Sequence, residues 1–236
     1  MEIKKLEWDS QFFGFRVGDV FLEEDFSESK VFNSDYFSFI QFRSRNWFEI
    51  ISDSHSLSYT ETKIIFNKIL NESNSLEEGI IDFDDSPLTD NSLYDLAYES
   101  GKFSRYRLDK KFSEDRFKKL YQIWIENSIN KSFADKIFYI REKENILGFV
   151  TVKINDNEAQ IGLIAVSINA QGKGLGKKLL LKTENYCLEN NIKTLQIPTQ
   201  LENVSACKFY EKMGYQISDK IIVKHYWKNN LKQNSK

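Results

Sequence analysis

Three glycines spaced two residues apart, Gly172, Gly174 and Gly176, join an apolar stretch to a helix-forming run in "AVSINAQGKGLGKKLL", residues 165–180. Glycine at this density is costly to order, so it belongs where bare backbone is needed. A glycine loop entering a helix presents orphan N–H groups at the positive end of the helix dipole, an arrangement that favours an anion. Gln171 opens the loop, and Lys173 and Lys177 add positive charge. The residues alone leave two readings, a pyrophosphate cradle or a flexible turn before a helix. The spacing excludes two common phosphate loops. A P-loop needs G-x-x-x-x-G-K-[ST], but Gln stands at position 171 and Lys178 follows Lys177. A dinucleotide fingerprint needs G-x-G-x-x-G early in a βαβ unit, whereas this G-x-G-x-G comes late in the chain.

The elements around the loop follow from periodicity. "SEDRFKKLYQIWIENSIN" sets Phe117, Leu120, Tyr121, Trp124 and Ile125 on one helical face, with Ser113 as N-cap. Strands are expected at "KIFYIRE", "ILGFVTVKIN" and "EAQIGLIAV", as an antiparallel meander. The glycine loop and a helix over about 175–190 come next. The strand "KTLQI" follows, then the helix "NVSACKFYEKMG" ended by Gly214, and a last strand "KIIVKHYW". Upstream, "EIKKLEW", "FRVGDVFL", "YFSFIQFR" and "TKIIFNKIL" read as strands, with a helix over 28–37. From Lys68 to Lys102 no basic residue intervenes, and Pro87 lies in "DFDDSPLTDNS". The boundary between two units is therefore placed near residue 88.

The chain of 236 residues is long enough for one large domain or two small ones. Its 41% hydrophobic and 14% aromatic content is that of a folded protein. No apolar run reaches the roughly 18 residues of a membrane span, and "MEIKKLEWDS" lacks a secretory core. Cys187 and Cys207 form no CxxC, and no histidine cluster accompanies them. A disulfide framework and a metal site are not expected, and a reducing cytoplasm is the expected location. His55 and His225 stand alone and are read as structural or surface residues. Residues 1–100 carry 8 Lys/Arg against 21 Asp/Glu, and residues 101–236 carry 25 against 14. The basic half would attract a polyanionic ligand, although two solvated faces of different charge would show the same split. Nucleic acid is disfavoured, because the aromatics are not interleaved with a basic stripe and the pI is about 5.9.

"QGKGLG" resembles the Q/R-x-x-G-x-G/A loop of the GNAT N-acetyltransferases, and the element order after residue 100 is similar to theirs. The resemblance implies an α+β (mixed αβ) acyl-CoA N-acyltransferase fold with an additional N-terminal α/β domain, 1–88, ahead of the transferase domain, 89–236. It implies acetyl-CoA as co-substrate. The pyrophosphate then falls to Gln171, Gly172, Lys173, Gly174, Leu175 and Gly176, and backbone groups of Ile164 and Val166 are offered to the pantetheine arm. "LEWDSQFFGF", "YQIWIENSI", "QIGLIAV" and "TLQIPTQLENVSACKFYEKMGY" resemble the dTDP-fucosamine N-acetyltransferases, two-domain GNAT enzymes of surface-polysaccharide synthesis. That likeness implies acetylation of a nucleotide-linked amino-dideoxy sugar, with no metal and no membrane insertion. A homodimer is compatible with it.

The residue roles come from the same resemblance. Tyr210 matches the tyrosine that serves as general acid toward the departing thiolate. A phenol near pKa 10 and a thiol near 8.5 lie within about two units of each other, so proton sharing is feasible. Asn203 matches a coenzyme-contacting asparagine, and a plain N-cap is its other reading. Glu61, in "TETKIIF", occupies the place of a carboxylate that deprotonates the amine; a surface pair with Lys63 is the alternative. Arg105, Trp124 and Asn127 resemble residues near the sugar-nucleotide pocket, where an arginine would clamp a diphosphate. A transferase acting on a peptide amine and a silent acyl-CoA sensor are the rival readings.

Overall fold

The computed structural model describes residues 2–23, 30–73, 81–82, 91–143 and 145–229. The first half contributes β1 (Lys4–Lys5), α1 (Glu7–Phe13), β2 (Val17–Leu22), β3 (Lys30–Val31), β4 (Phe39–Ser44), β5 (Ile50–Ile51), β6 (His55–Ile69) and β7 (Ile81–Asp82). Three helices follow: α2 (Asn91–Ser100), α3 (Arg105–Leu108) and α4 (Glu114–Ile129). The remainder is β8 (Lys136–Glu142), β9 (Asn145–Asn155), β10 (Glu158–Val166), α5 (Leu175–Glu189), β11 (Thr194–Gln200), α6 (Val204–Lys212) and β12 (Gln216–Lys228).

Among the described residues one ten-stranded sheet runs in the order β1-β2-β4-β12-β6-β11-β10-β9-β8-β7, and β3 pairs with β5 apart from it. The meander β8–β9–β10 is antiparallel, as its short polar turns require. β10 and β11 are parallel, joined by the crossover through α5. The expected boundary at residue 88 lies outside the described residues. Strand β6, from the first half, is flanked by β12 and β11, both from the second, so the sheet is continuous across the two halves.

Side chains alternate across the sheet and divide the core. Ile64 and Phe66 pack with Val150, Val152 and Leu195 under α5 and α6. On the opposite face Phe39, Tyr139 and Phe149 pack under α2, α3 and α4, whose inward residues include Leu93, Leu96, Phe117 and Leu120. By the same alternation Glu61 and Lys63 face α2–α4, which matters for the site. A third cluster around Phe42, Phe48 and Ile50 fills the β2–β4 end.

Two expectations are corrected. "EIKKLEW" is a strand only at Lys4–Lys5, and Glu7–Phe13 is a helix. The Ser10 hydroxyl donates to the Leu6 carbonyl at 2.6 Å and accepts from the Val17 amide at 2.9 Å, while left-handed Gly14 ends the helix. These local bonds override the alternation that suggested a strand. The helix over 28–37 is not formed in its described part. Residues 30–31 pair with 50–51, and the Asn33 side chain accepts the amides of Asp53 and Ser54, pinning the loop as a non-helical clasp.

Both histidines are buried, so neither is a surface group. His225 Nδ1 donates to Asp109 Oδ2 at 2.8 Å, and Trp227 Nε1 donates to the same oxygen at 3.0 Å. Burial drives the His225 pKa down to about 4, against the opposing pull of Asp109. For Asp109, burial acts upward, but the bonds from His225 and Trp227 outweigh it and hold the carboxyl below its usual range. In the unfolded chain His225 takes its proton near pH 6.5, whereas the folded protein refuses it until about pH 4. The unfolded state therefore binds more protons in that window, and stability from this group is lost as pH falls through it. A His225→Asn variant keeps a donor for Asp109 without the titration. The stability advantage of the wild type over this variant is expected to be constant above about pH 7 and to shrink toward pH 4. Urea midpoints measured across that range check this, and a pH-independent difference would refute it.

Candidate active site

The glycine loop follows β10 through a short 3₁₀ turn, Ile168–Ala170. Gly172 and Gly174 both adopt the left-handed conformation, at φ 78° and 77°. A Cβ on either would meet nothing within 4 Å, so backbone conformation, not crowding, demands glycine here. Gly174 is the N-cap of α5, and it brings no side-chain cap. No acidic residue stands in the first turn either. The helix thus opens with free amides and an uncompensated dipole, which favour an anion. The Gln171 side-chain amide donates to the Val166 carbonyl at 3.2 Å and ties the loop back to the strand.

That strand is split from its neighbour. The β9–β10 register shifts between Ile161 and Ile164, where the Leu163 amide turns to the Thr151 hydroxyl at 2.9 Å. On the other edge, pairing with β11 runs only from Glu158–Thr194 to Gln160–Gln196. Beyond it residues 161–166 and 197–200 diverge, and a cavity of about 850 Å³ opens between them. Its wall brings together Ile164, Val166, Gln171, Gly172, Gly174, Leu175 and Gly176 with Asn203 and Tyr210 of the next helix. Lys173 is exposed on the loop but is not part of the wall. Asn203 precedes α6 without making a side-chain cap, and its Oδ1 accepts from the Ser205 hydroxyl at 3.3 Å.

Tyr210 is 5% exposed, with its ring 5.5 Å from Phe66 and 5.4 Å from Phe209. Burial pushes its phenol well above the ordinary value, with the Cys207 thiol adding to the effect. Tyr210 therefore carries its proton at neutral pH, the state a general acid needs.

The same cavity continues through the gap to the α2–α4 face, where Arg105, Trp124, Tyr121 and Lys63 line it. Asn127 does not reach the wall; its carbonyl accepts the amides of Ser132 and Phe133. Glu61 also has no surface on the cavity. It lies fully buried behind Arg105, with Oε1 3.7 Å from the Arg105 Nη1. Its Oε2 accepts from the Tyr59 hydroxyl at 3.4 Å, and Oε1 has no hydrogen-bond partner among the described residues. Burial raises the Glu61 pKa, and Arg105 opposes that rise. Arg105 also donates to the Tyr106 hydroxyl at 3.1 Å and remains fully charged. From sequence, Lys63 is expected only as a surface partner for Glu61 and Tyr121 only as part of an apolar helix face, not as site residues. Lys63 lies two residues beyond Glu61 on a strand, hence on the same face, and Tyr121 lies three before Trp124 on a helix. Burial holds the Tyr121 phenol up at about 12.

The arrangement is a passage through the sheet. A glycine loop with free first-turn amides and a protonated phenol stand at one end, and a cationic, aromatic chamber stands at the other. No group of three or more metal-ligating side chains occurs among the described residues. No helix among them is long and apolar enough to cross a membrane.

Comparison with known proteins gives the arrangement a lineage. A GNAT-family acetyltransferase structure from Novosphingobium aromaticivorans superimposes with a TM-score of 0.56 at 12% identity, covering 81% of this chain and 75% of its own. A GCN5-related N-acetyltransferase from Sphaerobacter thermophilus gives 0.52 at 11% identity, over 82% and 61%. These likenesses show the fold. The Bacillus subtilis spore coat polysaccharide biosynthesis protein SpsD is 28% identical over 58% of this chain and 47% of its own length. The Escherichia coli dTDP-fucosamine acetyltransferase is 29% identical over 53% and 54%. The chain thus spans about half the length of the curated relatives it matches. The profile of the Acetyltransferase (GNAT) family matches residues 93–215, more than half of the sequence and every element that builds the donor end of the passage. This chain belongs to the GNAT acetyltransferase family.

Proposed function

We propose that the protein transfers the acetyl group of acetyl-CoA to the amine of a nucleotide-linked amino-dideoxy sugar, a dTDP-4-amino-4,6-dideoxyhexose, for surface-polysaccharide synthesis in the cytoplasm. The observation that carries this reading is the single cavity crossing the sheet, which lets a donor and a polyanionic acceptor enter from opposite faces and meet at the gap. The residues fit the donor. Left-handed glycines and free first-turn amides suit a pyrophosphate, and the unpaired edge of residues 161–166 suits an extended amide-bearing arm. Arg105 and Lys63 on the far wall suit a diphosphate, which guanidinium binds bidentately. The relatives named for polysaccharide synthesis and for dTDP-fucosamine acetylation support the same acceptor class.

In this reading the neutral amine attacks the thioester carbonyl, the C–S bond breaks, and Tyr210 gives its proton to the departing thiolate. The proton shed by the amine is drawn toward Glu61, whose Oε1 lacks a partner among the described residues. Thiol release is the test, across dTDP- and UDP-linked 3- and 4-amino-6-deoxy sugars, free amino sugars and peptides. Nucleotide and sugar both contribute binding energy to the transition state, so the free sugar is expected to be much the poorer substrate. Preference for a peptide, or equal rates with and without the nucleotide, would overturn the assignment. Glu61→Gln adds a second check. The variant's deficit in kcat should be largest at pH values where the amine is protonated and Glu61 ionised, and should close at alkaline pH. A pH-independent rise in KM alone would assign Glu61 to positioning Arg105.

A further inference from the structure

Lys63 is a second amine in the chamber meant for an amine. It sits on β6 beside Gln200 of β11, at the edge of the gap, and lines the same cavity as Tyr210. Its ammonium has no ion pair or hydrogen bond with a described residue. Four charged groups act on it: Arg105 of α3, Glu61 of its own strand, Arg43 of β4 and Asp219 of β12. Burial is the largest influence, and together with Arg105 and Arg43 it outweighs the two carboxylates and lowers the lysine's pKa. Lys63 is half-buried, and a lysine whose pKa is lowered in this way carries a larger neutral fraction than an exposed one; the neutral form is the nucleophile.

We propose that Lys63 is a self-acetylation site, modified by acetyl-CoA bound in the same passage when no acceptor is present. The proposal rests on the donor-site reading above. The Lys63 Nζ lone pair attacks the thioester carbonyl, the C–N bond forms and the C–S bond breaks. Tyr210 protonates the thiolate, and the surplus proton on Nζ leaves to Glu61 or solvent. The products are an amide on Lys63 and free coenzyme A, with atoms and charge in balance. The amide is neutral and bulkier than the amine, so the chamber loses a positive charge where the acceptor's diphosphate is expected to lie. Self-acetylation would then restrain the enzyme when donor is abundant and acceptor scarce.

The experiment uses the full chain incubated with acetyl-CoA alone, followed by intact mass and peptide mapping. The melting-temperature shift with acetyl-CoA is recorded on the same sample. The expected result is a mass increase of one acetyl group, with the modification on Lys63 blocking tryptic cleavage between Lys63 and Ile64. Lys63→Arg should abolish it, Tyr210→Phe should slow it, and added dTDP should slow it by occupying the chamber. A thermal shift without modification at Lys63 would overturn the proposal while leaving the donor site standing. Acetylation spread evenly over exposed lysines such as Lys110 and Lys177 would overturn it too. Absence of any thermal shift would overturn the donor-site reading, and the proposal with it.

Discussion

Tyr210→Phe is expected to lower turnover by roughly 10²–10⁴-fold, the usual scale for a lost general acid, with little change in acetyl-CoA affinity. The substitution removes one hydroxyl and leaves the ring, which stays wedged against Phe66 and Phe209. No hydrogen bond to a described residue is lost, so stability should hardly move. Burial makes the phenol a weaker acid than in water. The departing thiolate is born in the same enclosed passage, however, and loss of solvation raises its basicity in the same direction. The match between donor and acceptor of the proton is kept. Single-turnover rates at saturating acetyl-CoA check the claim: an unchanged rate would remove Tyr210 from the chemistry, and a lost thermal shift would make it a coenzyme contact.

How far such a site can be read from sequence depends on whether its parts are local. The glycine loop, the meander before it and the helices bearing Cys187 and Tyr210 were legible because each depends on period, caps and breakers within a few residues. Helix α2 was legible in principle, since Leu93, Leu96 and Ala97 have helical spacing and all face the core, but the acidic tract before it drew attention to a boundary. The place of β12 between β4 and β6 had no local signal at all. No pattern in "KIIVKHYW" says that it pairs with "YFSFIQFR", almost two hundred residues earlier. That pairing builds the sheet face on which Glu61 and Lys63 lie. Resemblance pointed to Glu61, but only the packing of Arg105 over it shows that Lys63, not Glu61, has the direct surface on the cavity. Helical spacing likewise puts Asn127 near Trp124 without deciding which side chain turns inward, and of the two Trp124 lines the cavity.

Gly174→Val is expected to abolish the acetyl-CoA-induced rise in melting temperature while leaving the chain folded. At φ 77° a β-branched residue is strongly disfavoured, by at least the ~1–2 kcal/mol that a left-handed conformation costs an ordinary L-residue. The loop must either carry that strain or rearrange, and either course misplaces the amides of the first turn. The new side chain also projects into the space that a Cβ finds open, where the pyrophosphate is expected to lie. Gly214→Ala is the matched control. Gly214 ends α6 at φ 84° and lies outside the cavity wall, so alanine there brings comparable strain without touching the loop. Both variants should therefore melt below the wild type. With ligand at about 100 times its Kd, binding to the folded state contributes about 2.7 kcal/mol, and Gly214→Ala should regain stability accordingly. Gly174→Val should regain none. An equal ligand-induced shift in both variants would move the pyrophosphate away from this loop, because strain alone would then explain everything the substitution does.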